Sequence, residues 1–92
     1  MSYSDYGLNK HETTKLIEKC KVLNDGDRDI LLSCCKEANS SISYEMLYSL
    51  IYDISYDKLT FKTYVPISKV DFYAYRRKAL ALFNKCINKG EN

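Results

Sequence analysis

The chain has 92 residues, of which 46% are hydrophobic, and its formal net charge is +2. This length suits one domain with a single apolar core and is too short for several. With one histidine, no glycine-rich phosphate loop and no nucleophile motif, the sequence predicts neither an enzyme nor a cofactor site. No apolar run approaches the roughly 20 residues that cross a bilayer, and no secretion signal is recognisable. We therefore expect a cytoplasmic protein without membrane contact.

Turn signals are scarce along the chain. It contains only three glycines and one proline, and no dipeptide of the kind that closes a β-hairpin. The sequence therefore predicts an all-α fold, a small bundle of about five helices forming one domain over residues 1–92. Within it we expect a flexible arm at 1–8, supporting helices at 9–56, and a basic pair of helices joined by a tight turn at 57–89.

Charge is distributed unevenly between the two parts of the chain. Residues 1–57 carry six lysines or arginines against ten acids, a net charge of −4, whereas residues 58–92 carry eight against two, a net charge of +6. Such polarity is typical of a protein that presents one end to a polyanion. A solvated basic helix has the same composition, so charge alone does not decide between the two interpretations.

Four cysteines raise the question of disulfides or a zinc site. Cys34 and Cys35 are adjacent, Cys20 and Cys86 are isolated, no C-x-x-C occurs, and the single His11 is distant from them in sequence. Zinc sites use closely spaced ligand pairs. We therefore expect structural thiols and no metal, since unpaired buried cysteines behave as small apolar residues.

The first half of the chain predicts two amphipathic helices. Asn9 and Glu12 form a capping pair for a helix over about 10–23, and Asp25 or Asp27 is expected to cap a second helix that runs to about residue 38. The two apolar stripes are Thr13, Leu16, Ile17, Cys20 and Leu23, and Ile30, Leu31, Cys34, Cys35 and Ala38. We favour capping over a calcium loop for these acids, because an apolar helix follows and no glutamate stands at the twelfth position.

A third helix, over about 43–54, is apolar around most of its circumference. Its apolar face consists of Met46, Leu47, Leu50, Ile51 and Ile54. Beside that face, tyrosines recur every four residues, at Tyr44, Tyr48, Tyr52 and Tyr56, and the polar strip is Glu45, Ser49 and Asp53. Such a helix is either central in the bundle or carries a partner surface. The four tyrosines are our candidate protein interface, with coverage by Tyr3 and Tyr6 of the arm as the alternative.

The C-terminal third predicts two helices and a locally specified turn. A short helix over about 57–64 is followed by Val65-Pro66-Ile67-Ser68, where proline disfavours helix in the residue before it and Ser68 offers an N-cap. The second helix, over 68–88, has one apolar stripe with basic residues mainly outside it. The stripe comprises Phe72, Tyr75, Ala79, Leu82, Phe83 and Cys86.

The run VPISKVDFYAYRRKALALF resembles the helix-turn-helix of bacterial sigma factor region 4 and of the small phage late-gene activators that share it. The matching positions, without a gap, are Val65, Ile67, Ser68, Phe72, Tyr75, Lys78, Ala79, Leu80 and Phe83. Lys62 replaces the small alanine of the helix crossing, and Pro66 replaces the turn glycine. Val70 and Ala74 stand where sigma factors often place polar base-reading side chains, so their promoter code does not carry over.

The resemblance implies a sequence-specific DNA-binding regulator of phage or mobile-element origin, with helix 68–88 in the major groove. It would activate transcription or serve as an accessory factor in recombination or excision. Its partner would be double-stranded DNA, together with either a second copy or another protein such as RNA polymerase. The alternative is a non-enzymatic helical adaptor that docks its basic helix and tyrosines on a polymerase or host factor.

The predicted DNA-binding residues fall into two groups. Near the start of the second helix, Lys69 and Tyr73 would face base edges or phosphates, while Asp71 would either cap with Ser68 or accept from a cytosine. The residues that would mainly neutralise the DNA backbone are Lys58, Lys62, Arg76 and Arg77.

Overall fold

A computed structural model describes residues 9–90 of the protein, with side chains described through Ile87. The predicted flexible arm, residues 1–8, lies outside the described residues, and so do Tyr3 and Tyr6. The helices are α1 Lys10–Cys20, α2 Asp25–Asn39, α3 Ser43–Tyr52, α4 Tyr56–Lys62 and α5 Lys69–Gly90, and a 3₁₀ turn, Ser40–Ile42, joins α2 to α3. No strand occurs in residues 9–90, so the predicted all-α class is confirmed. None of the helices described is both long and apolar enough to cross a bilayer.

The first two helices begin at asparagine caps. The Asn9 side chain accepts from the Glu12 N–H at 2.8 Å and the Glu12 carboxylate accepts from the Asn9 N–H at 3.5 Å, which confirms the predicted capping pair. The predicted cap of α2 was wrong, because Asn24, rather than Asp25 or Asp27, accepts from the Asp27 N–H at 2.8 Å. The two aspartates lie in the first turn, where the helix dipole favours a negative charge. α1 ends at Cys20, short of the predicted residue 23, and the backbone of Asn24 is extended where it caps α2.

The end of α3 is set by one residue in a left-handed conformation. Asp53 has φ 55° and its N–H donates to the Ser49 carbonyl, which stops α3 at Tyr52 instead of the predicted residue 54. Aspartate tolerates this conformation better than most residues with a side chain. Ser55 then caps α4 by accepting from the Lys58 N–H at 3.3 Å. As a result, α3 and α4 are separate helices with a short corner between them.

The pair α2 and α5 forms the centre of the bundle. α5 packs mainly on α2, α3 packs on α2, α1 contacts α3 and α5, and the short α4 contacts both α3 and α5. The large side chains that are fully buried are Leu31, Ile42, Met46, Leu50, Phe72, Leu80 and Phe83. Because α5 is central, it buries residues outside its predicted stripe, namely Ala74, Leu80 and Ala81. Two predicted core positions lie outside the core, since Cys86 and Ile30 are exposed.

Candidate nucleic-acid interface

Six residues, 63–68, connect α4 to α5 and are anchored at both ends. The Thr63 N–H donates to the Leu59 carbonyl at 3.0 Å, and Val65 is buried in the core. At the other end, the Ser68 hydroxyl accepts from the Asp71 N–H at 3.2 Å and the Ser68 carbonyl accepts from the Phe72 N–H at 2.9 Å. Ser68 therefore caps α5 as predicted, and the Asp71 backbone takes part in that cap while its side chain stays exposed.

Tyr56 holds this connection in place from the start of α4. Its hydroxyl donates to the Ile67 carbonyl at 2.5 Å, and its N–H donates to the Tyr73 hydroxyl at 3.0 Å. Its ring centre also lies 5.4 Å from that of Phe72. Tyr56 is half-buried and belongs to α4, so it is separated from the other three tyrosines of the predicted interface, which lie on α3.

Three of the predicted DNA-binding side chains lie on one stripe of α5 and contact α3 or α4. The Lys69 ammonium lies 2.9 Å from a carboxylate oxygen of Asp57, which raises the pKa of Lys69 through that hydrogen bond and the opposite charge. Tyr73 contacts Tyr56, as described above. Arg76 donates to the Ser49 hydroxyl at 3.0 Å, and its guanidinium carbon lies 4.7 Å from the centre of the Tyr73 ring. Only Lys69 of these three is exposed.

The remaining predicted DNA-binding residues divide between an open surface and a cleft. Lys58, Lys62 and Asp71 are exposed. Arg77 is half-buried and, together with Arg76, lines a polar cleft of about 370 Å³ whose other walls come from α1 and α5. The structure therefore brings Lys58 and Lys69 close, since Lys69 pairs with the residue before Lys58, and it sets the two arginines further along α5.

Ser49 is a polar residue that the sequence places on the solvated strip of α3, but it is only 1% exposed. Its hydroxyl donates to the Ile54 carbonyl at 2.6 Å and accepts from Arg76 at 3.0 Å. Periodicity gave no sign of this role because Arg76 is 27 positions away in sequence. Ser49 therefore ties the corner after α3 to the middle of α5.

An open groove between α3 and α4 carries much of the exposed aromatic surface. Its volume is about 660 Å³, and its apolar lining residues are Tyr44, Tyr48, Ile54, Leu59 and Phe61. We call it the aromatic groove. Phe61 is 90% exposed, Tyr44 62% and Tyr48 49%, and the Tyr52 ring packs on that of Tyr48 with centres 4.7 Å apart. The predicted tyrosine interface did not include Phe61, which lies within the predicted short helix over 57–64.

All four cysteines are free, and three of them are buried. The pKa of each of these three thiols, Cys20, Cys34 and Cys35, is raised to about 12, mainly by burial and, for Cys34, also by the neighbouring Cys86 thiol. Thiols that stay protonated are poor nucleophiles and poor metal ligands. In residues 9–90 no three His, Cys, Asp or Glu side chains are grouped to hold a metal ion.

Comparison of the chain with protein-family models, with curated proteins and with solved structures gave no match.

Proposed function

We propose that the protein is a small, non-enzymatic DNA-binding regulator of the phage or mobile-element kind. In this proposal α4, the 63–68 turn and α5 act as a helix-turn-helix similar to that of sigma factor region 4. The observation that carries the proposal is the exposed start of α5, from Ser68 to Asp71, beside exposed Lys58 and Lys62 of α4. Recognition helices contact base edges mainly through their N-terminal residues, and lysines at such a site neutralise phosphates.

Burial along α5 limits how the helix would meet DNA. From residue 72 to residue 84 every position of α5 is buried or half-buried, and Ala74, Ala79 and Leu80 are buried against the rest of the bundle. Only the first turn therefore projects far enough to enter a major groove. Lys69 would exchange Asp57 for a phosphate or a base edge, because both members of that pair are exposed and such pairs are weak.

Arg76 and Arg77 have a different part in this proposal from the one that the sequence predicts. Arg76 bonds to Ser49 and stacks on Tyr73, so its main contribution is to the orientation of α5 against α3. Arg77 lines the cleft toward α1. The two arginines still contribute to the net charge of +6 of residues 58–92, which favours approach to a polyanion at long range.

The proposal is tested by the salt dependence of binding to random duplex DNA. We expect the triple variant Lys58→Gln, Lys62→Gln, Lys69→Gln to bind weakly, and its salt slope to be lower by up to about 2.7, or about 0.9 for each lost phosphate contact. Fluorescence anisotropy between about 50 and about 200 mM salt measures both quantities. Asp71→Ala should instead change the preference among sequences more than the affinity for random duplex.

The matched control makes the same change in charge on α1, with Lys10→Gln, Lys15→Gln and Lys19→Gln, all at exposed positions. It should keep at least most of the wild-type affinity and slope. Equal losses in the two triple variants would mean that only net charge matters, and no binding by the wild type would end the DNA proposal.

A second candidate function, a helical adaptor that binds another protein, is favoured by one specific observation, the aromatic groove. Rings as exposed as Phe61 and Tyr44 are characteristic of protein contact surfaces. The two functions are compatible, because a single short reading turn covers few base pairs and seldom gives physiological specificity alone. We therefore propose that the protein acts with a second reading unit, either a second copy or a protein such as RNA polymerase.

A further inference from the structure

We infer that the aromatic groove between α3 and α4 is the contact surface for a second copy of this chain, with Phe61 of each copy seated in the groove of the other. This names the partner that the proposed DNA-binding function calls for. The contact itself rests on the groove, so a dimer would form whether or not the protein binds DNA.

The amount of exposed apolar surface supports a protein contact. From their exposed fractions, the rings of Phe61, Tyr44 and Tyr48 leave roughly 400 Å² of mainly apolar surface uncovered. An apolar patch of this size is comparable to the largest patch on a typical monomeric protein, and such patches are often functional. One partner of a standard interface contributes about 800 Å², so these rings would supply about half of it. Tyr52, packed on Tyr48, and the polar rim of the groove extend the patch toward that size.

The shape of the surface favours a second copy over an unrelated occupant. A two-fold interface needs one patch that carries both a protruding group and the pocket that receives it. Here Phe61 of α4 is 90% exposed and lines the same groove as the less exposed Leu59 and Ile54. Two copies related by a two-fold axis can therefore each insert one phenyl ring and receive one.

The charges on the two walls of the groove agree with the same arrangement. The α3 wall carries Glu45, and the α4 wall carries Lys58 and Lys62, while the charge of Asp57 is already paired with Lys69. When two copies meet antiparallel, the α3 wall of one faces the α4 wall of the other. The glutamate of each copy then faces the lysine side chains of the other at the rim of the contact, where the ammonium groups still reach solvent or a DNA phosphate, which gives the contact electrostatic complementarity as well as apolar burial.

Sedimentation equilibrium over about 1–100 μM, without DNA, tests this contact. A wild-type dimer is expected, and Phe61→Ala should raise its dissociation constant at least about 100-fold, because each dimer loses the burial of two rings. The variant should fold normally, since Phe61 is almost fully exposed and alanine is the best helix former. Circular dichroism checks this. The matched control is Val22→Ala, which removes an apolar side chain that is 81% exposed and lies off the groove, and it should leave the dimer unchanged.

A charge exchange supplies a second readout. Glu45→Lys should weaken the dimer by placing like charges on facing walls, and adding Lys58→Glu and Lys62→Glu to the same chain should restore it. A wild type that is monomeric at about 100 μM would overturn the inference, and so would a dimer that Phe61→Ala leaves as tight as before. A monomer that still binds duplex DNA would overturn the dimer contact and leave the proposed function standing. A Phe61-dependent dimer that binds no DNA would support the dimer contact and end the proposed DNA-binding function.

Discussion

Replacing Ser49 by alanine should destabilise the fold more than any other removal of a single hydroxyl group from α3. The Ser49 hydroxyl is buried and joins two elements, since it donates to the Ile54 carbonyl at 2.6 Å and accepts from Arg76 at 3.0 Å. Alanine removes both hydrogen bonds and leaves the Ile54 carbonyl without this donor. The corner between α3 and α4 and the contact between α3 and α5 should loosen together.

The size of the effect follows from the two bonds. A buried neutral hydrogen bond contributes about 1 kcal/mol, and a bond to a charged group about 1.5–3 kcal/mol. Arg76 is only half-buried, so solvent can replace part of the second bond and the low end of that range applies. The higher helix propensity of alanine returns about 0.5 kcal/mol. We therefore expect a loss of about 2 kcal/mol in the free energy of unfolding, or a Tm lower by roughly 8–15 °C.

Urea unfolding followed by circular dichroism measures this loss. Ser33→Ala, at an exposed position within α2, is the matched control and should change stability by no more than about 0.5 kcal/mol. A double-mutant cycle with Arg76→Gln should show coupling of about 1 kcal/mol, because the two side chains share one bond. A loss below about 0.5 kcal/mol in Ser49→Ala, or additive effects in the cycle, would refute the assignment of Ser49 as the link between α3 and α5.

The remaining predictions concern the turn, the corner and the thiols. Tyr56→Phe should cost about 1 kcal/mol in urea unfolding because the Ile67 carbonyl loses its donor, and an unchanged midpoint would show that water replaces the hydroxyl. Asp53→Ala should lower stability by about 1 kcal/mol while Asp53→Gly keeps or raises it, since φ is 55°, and equal Tm values for the two variants would contradict this. The free energy of unfolding should keep its full value below about pH 9 and should fall as the pH rises toward 12. In that range the three buried thiols ionise in the unfolded chain, whereas their raised pKa of about 12 keeps them protonated in the folded protein. Cys35→Ala should make that decline shallower by up to about 1.4 kcal/mol per pH unit. The same slope in the variant and the wild type would contradict this prediction. In the native protein at about pH 8, Cys86 should react with a maleimide well before the buried thiols.

Local sequence signals were sufficient to predict where the helices lie and two of their N-terminal caps. Asn9 with Glu12 and Ser68 were predicted as caps, and the structure has both. A cap depends on a side chain and a backbone N–H two or three residues away, so it can be read without knowing what packs nearby. The one cap that was misassigned, Asn24 in place of an aspartate, lies among several residues of nearly equal capping preference.

Most apolar stripes were also readable, because helical periodicity identifies the side that must leave water. The third helix is an instructive case. Its apolar face is buried through Met46, Leu50 and Ile51, whereas the tyrosines beside it, Tyr44 and Tyr48, remain exposed. The pattern predicted both the packed side and a candidate contact side, but it gave no means of choosing between a core and an interface for the tyrosines.

Tertiary packing decided the roles of the side chains that meet across long separations in sequence. Ser49 stands on a polar strip and Arg76 on a basic helix, so each taken alone indicates solvent, yet the buried Ser49 hydroxyl bonds to the half-buried Arg76. In the same way Tyr56 holds the turn through Ile67 and Tyr73 instead of extending the row of tyrosines on α3. The sequence by itself determined which segments are helical and which stripe of each is apolar, since these depend on neighbours within a few residues. Which polar groups become structural, and where a groove is left open, depended on how the helices pack, because burial is a property of the surface that a side chain meets.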